Sequence, residues 1–214
     1  MTEVLDEVDG VCGQLVLRQV DEDFEVIANG VFLMDTRNGE SERLLVSVAA
    51  DMVPGQARML IGGLGVGYSL RAALDHPGVG EIVVVEREPS IIEWNRTGPL
   101  RDVHGDALAD DRVTVVVADL VEWIVQTEER FDALCLDIDN GPQWTVTEGN
   151  ASLYGLSGLM GLAKRLRPGG VLAVWSAEAS AAFTRRLRAR FNEVQVLKVP
   201  VPRGEPDVVW LARM

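Results

Sequence analysis

The 214-residue sequence has few residues of the kinds that build metal sites, disulfide frameworks or membrane spans. Its two cysteines, Cys12 and Cys135, lack the spacing of metal ligands or of a disulfide framework. We therefore predict no bound metal and two free thiols. No apolar run approaches the roughly 18 residues that a membrane-spanning helix needs. The amino terminus is acidic where a signal peptide would be basic, which favours a cytoplasmic protein without a membrane partner.

Positive charge is also scarce, because 20 lysine and arginine residues stand against 33 aspartate and glutamate residues, a formal net charge of −13. Binding to nucleic acid needs a surplus of basic side chains on some face, so we expect no nucleic-acid partner. The acidity favours a cationic or neutral small-molecule substrate, although acidity alone also keeps proteins soluble. With 47% hydrophobic residues, the chain is expected to fold around one sizeable core.

The order of hydrophobic segments predicts a small part, residues 1–40, and a larger one, residues 41–214. In the first, short extended runs flank Asn29-Gly30, a strong hairpin signal, and predict an antiparallel β-ribbon behind an irregular segment, 1–12. In the second, strands alternate with helices, the pattern of a Rossmann-like, doubly wound α/β sheet. We expect seven strands, of which five are parallel and the last two form an antiparallel hairpin at one edge. The ribbon runs are 14–20, 24–28 and 31–34; the sheet strands are predicted at 58–62, 81–85, 112–117, 131–136, 170–176, 193–199 and 208–211; the helices are predicted at 42–52, 66–75, 88–97, 119–127, 152–166 and 178–189.

The first predicted parallel strand ends in a glycine run that contains Gly62, Gly63, Gly65 and Gly67. Glycines at such a turn let the backbone approach a ligand closely. The third glycine of Gly63-x-Gly65-x-Gly67 comes one residue too early for the dinucleotide pattern, and the spacing is similar to the first motif of S-adenosylmethionine-dependent transferases. Glu86 follows the next apolar strand, where a carboxylate can accept hydrogen bonds from ribose hydroxyls. These features predict a nucleoside cofactor; a packing turn and a solvated strand-end carboxylate are the alternatives.

Acidic residues also follow the third and fourth parallel strands. Asp119 is expected to contact adenine or to cap the next helix. Asp137 ends the strand that flanks the reversal of strand order, where ligands usually bind in doubly wound sheets. There it would orient an amine or take its proton, unless it only fixes a turn with Asn140 before Pro142.

Aromatic and histidine residues have weaker assignments. Trp144 and Trp175 lie past or late in a strand, where they would form a wall for a cation or a flat substrate, or else fill the core. His76 and His104 have no partner at the spacing of a nucleophile or metal site, so we expect both at the surface.

Together these residues resemble the spermidine synthase, or polyamine aminopropyltransferase, family on the class I methyltransferase fold. The resemblance implies that the glycines bind the amino-acid portion of the cofactor, Glu86 the ribose and Asp119 the adenine end. It further implies that Asp137 deprotonates the attacking amine. On the substrate side we expect Asp139, Asn140, Trp144, Tyr154 and Trp175. The resemblance covers residues 24–176, through Asn29-Gly30-Val31, the glycine run, residues 76–79, Glu86, Asp119, Asp137, Leu153-Tyr154 and residues 167–170.

The sequence departs from the family where the resemblance implies recognition of cationic groups. The family's glycine run carries an aspartate that grips the amine of the aminopropyl donor, and Gly65 stands at that position. Leu33 and Glu42 stand near the places of a glutamine and a tyrosine, and a second aspartate aligns with Asn140 or Asp139. Each lost partner would leave a substrate ammonium unpaired, at a cost of about 1–3 kcal/mol.

We therefore expect residues 41–214 to bind S-adenosylmethionine and to transfer its methyl group to a small molecule. The alternative is aminopropyl transfer from decarboxylated S-adenosylmethionine to a polyamine, with Asp139 or Glu42 in place of the missing acids. A third reading is a protein that binds the cofactor without catalysis. The strand edges of the N-terminal ribbon are where a homodimer would form.

Overall fold

The computed structural model describes residues 1–214, apart from the side chain of residue 148, and folds them into two sheets. The N-terminal sheet is antiparallel, and its strand order is β1-β2-β3-β4. Asn29 and Gly30, between β3 and β4, have φ values of 51° and 76°, as both central residues of a type I′ hairpin turn require. The predicted ribbon is confirmed. Its strands are β1 Thr2–Gly10, β2 Gly13–Val20, β3 Asp23–Ala28 and β4 Val31–Asp35.

Strand β1 corrects the prediction that residues 1–12 are irregular. Thr2–Gly10 pairs with β2 along its whole length, with a bulge between Val4 and Asp6. Most side chains of β1 are exposed on both faces, so the alternation that marks a half-buried strand is absent from its sequence. The strand exists through backbone pairing, which leaves no such pattern.

The second sheet has seven strands in the order β10-β11-β9-β8-β5-β6-β7. Strands β5 to β9 are parallel to their neighbours, and β11 runs antiparallel between β9 and β10. This arrangement confirms the predicted Rossmann-like fold class. The strands are β5 Ala57–Gly62, β6 Val79–Glu86, β7 Val113–Val117, β8 Phe131–Leu136, β9 Leu166–Ser176, β10 Glu193–Val199 and β11 Asp207–Arg213.

Seven α-helices connect or cover these strands. They are α1 Glu40–Asp51, α2 Tyr68–Asp75, α3 Pro89–Arg96, α4 Arg101–His104, α5 Leu120–Gln126, α6 Leu156–Arg165 and α7 Ala181–Arg190, with short 3₁₀ helices at Ala107–Ala109 and Glu148–Ser152. Among the described residues, none of these helices has the length and hydropathy to cross a membrane.

Three boundaries differ from the sequence prediction for local reasons. Helix α2 begins at Tyr68, two residues late, because Gly67 has a φ of 91° and cannot belong to it. The helix expected over 152–166 begins at Leu156, since a 3₁₀ helix and the extended Gly155 precede it. The strand expected over 170–176 starts at Leu166, which pairs with Phe131 before the ladder is interrupted.

Hydrophobic side chains cover both faces of the large sheet. Ile61 and Cys135 belong to one core and Leu60 and Leu134 to the other, as successive residues of a strand must. Strands β5 and β8 are neighbours, and the chain order reverses between them. Their carboxyl ends therefore open the crevice in which such folds bind ligands.

Candidate active site

A cavity of about 840 Å³ lies at the carboxyl ends of the parallel strands, within the size range of small-molecule sites. Strands β3 and β4, the glycine turn, the ends of β6 to β9 and the loop before β11 form its wall. Nine predicted site residues line it: Gly63, Gly65, Glu86, Asp119, Asp137, Asp139, Asn140, Trp144 and Trp175. Gly62, Gly67 and Tyr154 lie behind this wall.

The glycine turn owes its shape to packing on one side and to open space on the other. Gly63 has a φ of 87°, and a Cβ there would lie 2.4 Å from the carbonyl oxygen of Asp137. A Cβ at Gly62 would lie 2.6 Å from Leu120 Cδ2. Gly65, with a φ of 56°, borders the cavity, and its Cβ would meet only Met34 Sδ at 3.4 Å. The turn therefore needs glycine where β5 and β8 meet, while Gly65 leaves room for a ligand.

Two backbone amides fix the carboxylate of Glu86. Leu64 N donates to Oε2 over 2.9 Å and Glu88 N donates to Oε1 over 2.8 Å. Burial raises the pKa of Glu86 despite these bonds. The solvated strand end considered for Glu86 is thus not observed, and each oxygen keeps a lone pair for another donor.

Asp119 caps helix α5. Its Oδ1 accepts hydrogen bonds from Val121 N at 2.8 Å and Glu122 N at 3.3 Å, and Arg87 Nη1 lies 3.3 Å from Oδ2. The capping role is confirmed, while the adenine contact stays a prediction.

The Asp137 carboxylate accepts no hydrogen bond from the residues that the structure describes, so it does not fix the turn before Pro142. Burial raises the pKa of Asp137 well above its ordinary value, and the carboxylates of Glu42, Asp207 and Asp139 raise it further. Asp137 also lines the cavity. The carboxylate is therefore placed to accept a proton or a hydrogen bond from a ligand in the cavity.

Asp139 is buried and holds the segment after β8 in place. Val146 N and Asn150 Nδ2 donate to its Oδ1 over 2.6 and 2.8 Å, and the Tyr154 hydroxyl donates to its Oδ2 over 2.8 Å. Burial nevertheless raises the pKa of Asp139. Tyr154 therefore acts on the cavity through Asp139. The neighbouring Asn140 is held by its backbone, whose carbonyl oxygen accepts a hydrogen bond from Ala177 N over 3.0 Å.

Sequence reasoning named Glu42 as a replacement acid but missed Asp207, which Ser41 joins to it. Ser41 Oγ lies 2.8 Å from Glu42 Oε2 and 2.7 Å from Asp207 Oδ2. Burial raises the pKa of both carboxyls, and the Asp207 charge raises the pKa of Glu42 further. Asp207 lies 166 residues from Ser41 in the chain, so no local spacing could reveal the contact.

Two of the three arginines in the cavity wall, which are Arg37, Arg87 and Arg203, form ion pairs with acids outside the cluster around Ser41. Arg37 pairs with Glu25 and Asp35, and Arg87 with Asp119. Among the described residues, no lysine or arginine forms an ion pair with Glu42, Asp207 or Asp137. The carboxyls of Glu42, Asp137 and Asp207 thus outnumber Arg203, the one arginine of the wall without an ion pair among the described residues, and this balance favours a cation.

The aromatic and histidine predictions divide. Trp144 is 59% exposed and does not fill the core, whereas Trp175 packs against it, with a buried Nε1 that has no partner among the described residues.

His76 is partly buried, with Nε2 3.1 Å from Asp51 Oδ1. His104 is 2% exposed, so its predicted surface position is wrong. No periodic pattern marks the burial of His104, because its helix α4 spans only four residues.

Comparisons with known proteins agree on a family. The model of the "Spermine/spermidine synthase domain" matches residues 40–202. A polyamine aminopropyltransferase of Mycobacterium tuberculosis is 31% identical over 166 residues, which cover 75% of this chain and 30% of the relative. Polyamine aminopropyltransferase 2 of Pseudomonas aeruginosa is 32% identical over 155 residues, which cover 67% of this chain and 42% of the relative. The chain thus spans less than half the length of these relatives.

A crystal structure described as spermidine synthase in complex with the transition-state analogue AdoDATO has the same fold. It superposes with a TM-score of 0.81 at 18% identity, over 98% of this chain and 73% of that one.

Methyl transfer as the main activity is contradicted by these matches, since the curated relatives are named for aminopropyl transfer. The prediction rested on the aspartate missing at Gly65. The structure brings Glu42 and Asp207 into the same cavity, so an ammonium has partners without that aspartate, and these acids would repel the carboxylate of S-adenosylmethionine. With the family model matching residues 40–202, the chain belongs to the spermine/spermidine synthase family.

Proposed function

We propose that this protein transfers the aminopropyl group of decarboxylated S-adenosylmethionine to a small cationic amine of the polyamine class. The observation that carries the proposal is the unpaired Asp137 carboxylate, which shares a cavity with Glu42 and Asp207. The names of the curated relatives support the same reaction.

The donor's nucleoside fits the wall between β5 and β7. Glu86 is oriented by two amides and keeps lone pairs for ribose hydroxyls. Gly65 leaves room for the chain that carries the sulfonium. Asp119 lines the same cavity and would contact the adenine. When bound, the donor supplies a propyl carbon that is activated by its positive sulfur.

Asp137 acts as the general base. It takes a proton from the attacking amine, whose nitrogen forms a bond to the propyl carbon as the carbon–sulfur bond breaks. The electron pair of that bond stays with sulfur, so 5′-methylthioadenosine leaves as a neutral thioether. A raised pKa suits Asp137 to this role, because a base works best when its pKa lies near the working pH.

Glu42 and Asp207 supply the negative charge that draws cationic groups towards Asp137. Ser41 holds the two carboxyls on either side of its hydroxyl. Charge-assisted hydrogen bonds to an ammonium would offset the repulsion between these carboxylates. The acids thus serve in place of the aspartate that is absent at Gly65.

Product analysis tests the proposal. The protein is incubated with decarboxylated S-adenosylmethionine and, separately, with putrescine, cadaverine or spermidine, and the products are identified by mass spectrometry. We expect 5′-methylthioadenosine and an aminopropylated amine in equal amounts, and a large loss of both in Asp137→Asn. Methylation of an amine by S-adenosylmethionine, or no transfer from the decarboxylated donor to any of the amines, would refute it.

The domain boundary at residue 40, the cytoplasmic location and a homodimer through the N-terminal ribbon stay predictions. Size-exclusion chromatography with light scattering tests the last of these.

A further inference from the structure

A buried histidine and a buried asparagine lie behind the glycine turn. Asn95, in helix α3, is 1% exposed, and His104, at the end of α4, is 2% exposed. Neither lines the cavity. Polar side chains are rarely buried this deeply without a specific partner.

Asn95 joins the turn to its own helix. Its Nδ2 donates to the carbonyl oxygen of Gly65 over 2.9 Å and to that of Ile91 over 2.8 Å. Both amide hydrogens are therefore used, and Oδ1 is left to accept. His104 Nε2 lies 3.0 Å from Oδ1.

This pattern fixes the state of His104. Because Asn95 Oδ1 can only accept, Nε2 of His104 must carry the hydrogen. Nδ1 is buried and has no partner among the described residues, so a second proton there would be unsatisfied. Burial also lowers the pKa of His104, and this favours the neutral ring with its hydrogen on Nε2.

Gly67 lets the ring approach the turn. A Cβ at Gly67, whose φ is 91°, would lie 2.3 Å from His104 Cδ2. On the opposite side, Leu64 N donates to Glu86. The turn is thus held from the cavity side by a carboxylate and from behind by Asn95.

We propose that His104 and Asn95 are positioning residues, which hold the Gly65 peptide in the conformation that receives the aminopropyl chain of the donor. The inference rests on the proposed function. Without the His104 donor, Asn95 loses its orientation, and the turn spreads over other conformations in the free protein. Donor affinity then falls by the fraction of molecules that remain competent.

Two substitutions at one site test the inference. His104→Leu removes the donor, whereas His104→Gln places an amide N–H near the position of Nε2. Leu187→Ala, in a buried residue of α7 on the other face of the sheet, is the control for general loss of stability. Dissociation constants for decarboxylated S-adenosylmethionine and for 5′-methylthioadenosine are measured by titration calorimetry, together with thermal unfolding of each variant.

We expect His104→Leu to raise the dissociation constant of the donor about tenfold, which is the effect of losing one buried hydrogen bond. The change for 5′-methylthioadenosine should be much smaller, because that nucleoside lacks the chain that lies along Gly65. His104→Gln should restore most of the donor affinity, and Leu187→Ala should lower the unfolding temperature without changing the ratio of the two constants.

If His104→Leu weakens the binding of both nucleosides equally, or changes neither, the positioning role of His104 and Asn95 is overturned while the proposed function stands. A wild-type protein that binds neither nucleoside would reject the proposed function as well. If His104→Leu fails to fold, His104→Gln decides. Equal losses of affinity for the donor and for 5′-methylthioadenosine in His104→Gln count against the positioning role. Retention of both affinities supports it.

Discussion

The substitution Asp207→Asn should make the unliganded protein more stable at about pH 8. In the wild type, the one hydroxyl proton of Ser41 faces two carboxyl oxygens, Glu42 Oε2 at 2.8 Å and Asp207 Oδ2 at 2.7 Å. When both carboxyls are ionised, one of these contacts brings two acceptors together and repels. In Asp207→Asn, the amide can donate to Ser41, which then donates to Glu42.

The gain is one hydrogen bond in place of one repulsive contact, about 1 kcal/mol in the free energy of unfolding. For a chain of this size, that corresponds to a rise of about 2–4 °C in the unfolding temperature. The effect has a pH window. Burial raises the folded-state pKa values of Asp207 and Glu42 above the ordinary values of these side chains. Folding therefore favours protonation, and wild-type stability is lost as the pH rises through the raised values.

The difference between variant and wild type should be small near about pH 4, where a protonated carboxyl supplies the missing hydrogen, and should grow towards about pH 8. Urea unfolding followed by circular dichroism across this range measures it. A less stable variant at the higher pH, or a difference independent of pH, would refute this account of the pair.

Asp110→Asn is the matched control, because its sign is opposite. Hydrogen bonds from Arg112 lower the pKa of Asp110 to about 2. The stability from this lowered pKa is present above the ordinary pKa of an aspartate and is lost as the pH falls towards the lowered pKa. Asp110→Asn should therefore reduce stability at about pH 8 and have little effect at strongly acidic pH.

Three further predictions concern the cavity. Asp137→Asn should lower kcat by roughly 10²- to 10⁴-fold, the usual contribution of a general base, with little change in the donor's KM; wild-type kcat/KM should rise with pH through the raised pKa of Asp137. Gly63→Ala should fail to fold stably, because its Cβ would lie 2.4 Å from the Asp137 carbonyl oxygen, and thermal unfolding measures this. Tyr154→Phe should cost about 1–3 kcal/mol in urea unfolding by removing one donor from Asp139, and an unchanged midpoint would contradict the network.

The sequence predicted the elements whose hydrophobic pattern is strong. The parallel strands and the terminal hairpin were predicted correctly because buried strands read as apolar runs, and Asn29-Gly30 marked its own turn. Strand β1 was missed because both of its faces are exposed. Helix α4 was missed because four residues carry no period.

Site residues at the carboxyl ends of strands were predictable for a topological reason. Asp137 and Glu86 directly follow apolar strands, and parallel strands bring their ends to one edge. What these side chains do there depends on partners that only the fold supplies. Glu86 is fixed by the amide of Leu64 from the glycine turn, whereas no described residue donates to the Asp137 carboxylate.

Position-by-position comparison with a family also misjudges charge, because electrostatic attraction depends on distance in space and not on place in the chain. Reading Gly65 as a lost aspartate suggested a donor that keeps its carboxylate. The cavity regains negative charge from Glu42 in α1 and from Asp207 at the start of β11, which the Ser41 hydroxyl holds together. Asp207 lies beyond residues 40–202, the part that the family model matches. One of the two acids therefore lies outside the matched segment while it lines the same cavity as Glu42, and under the proposed function both would attract a cationic substrate.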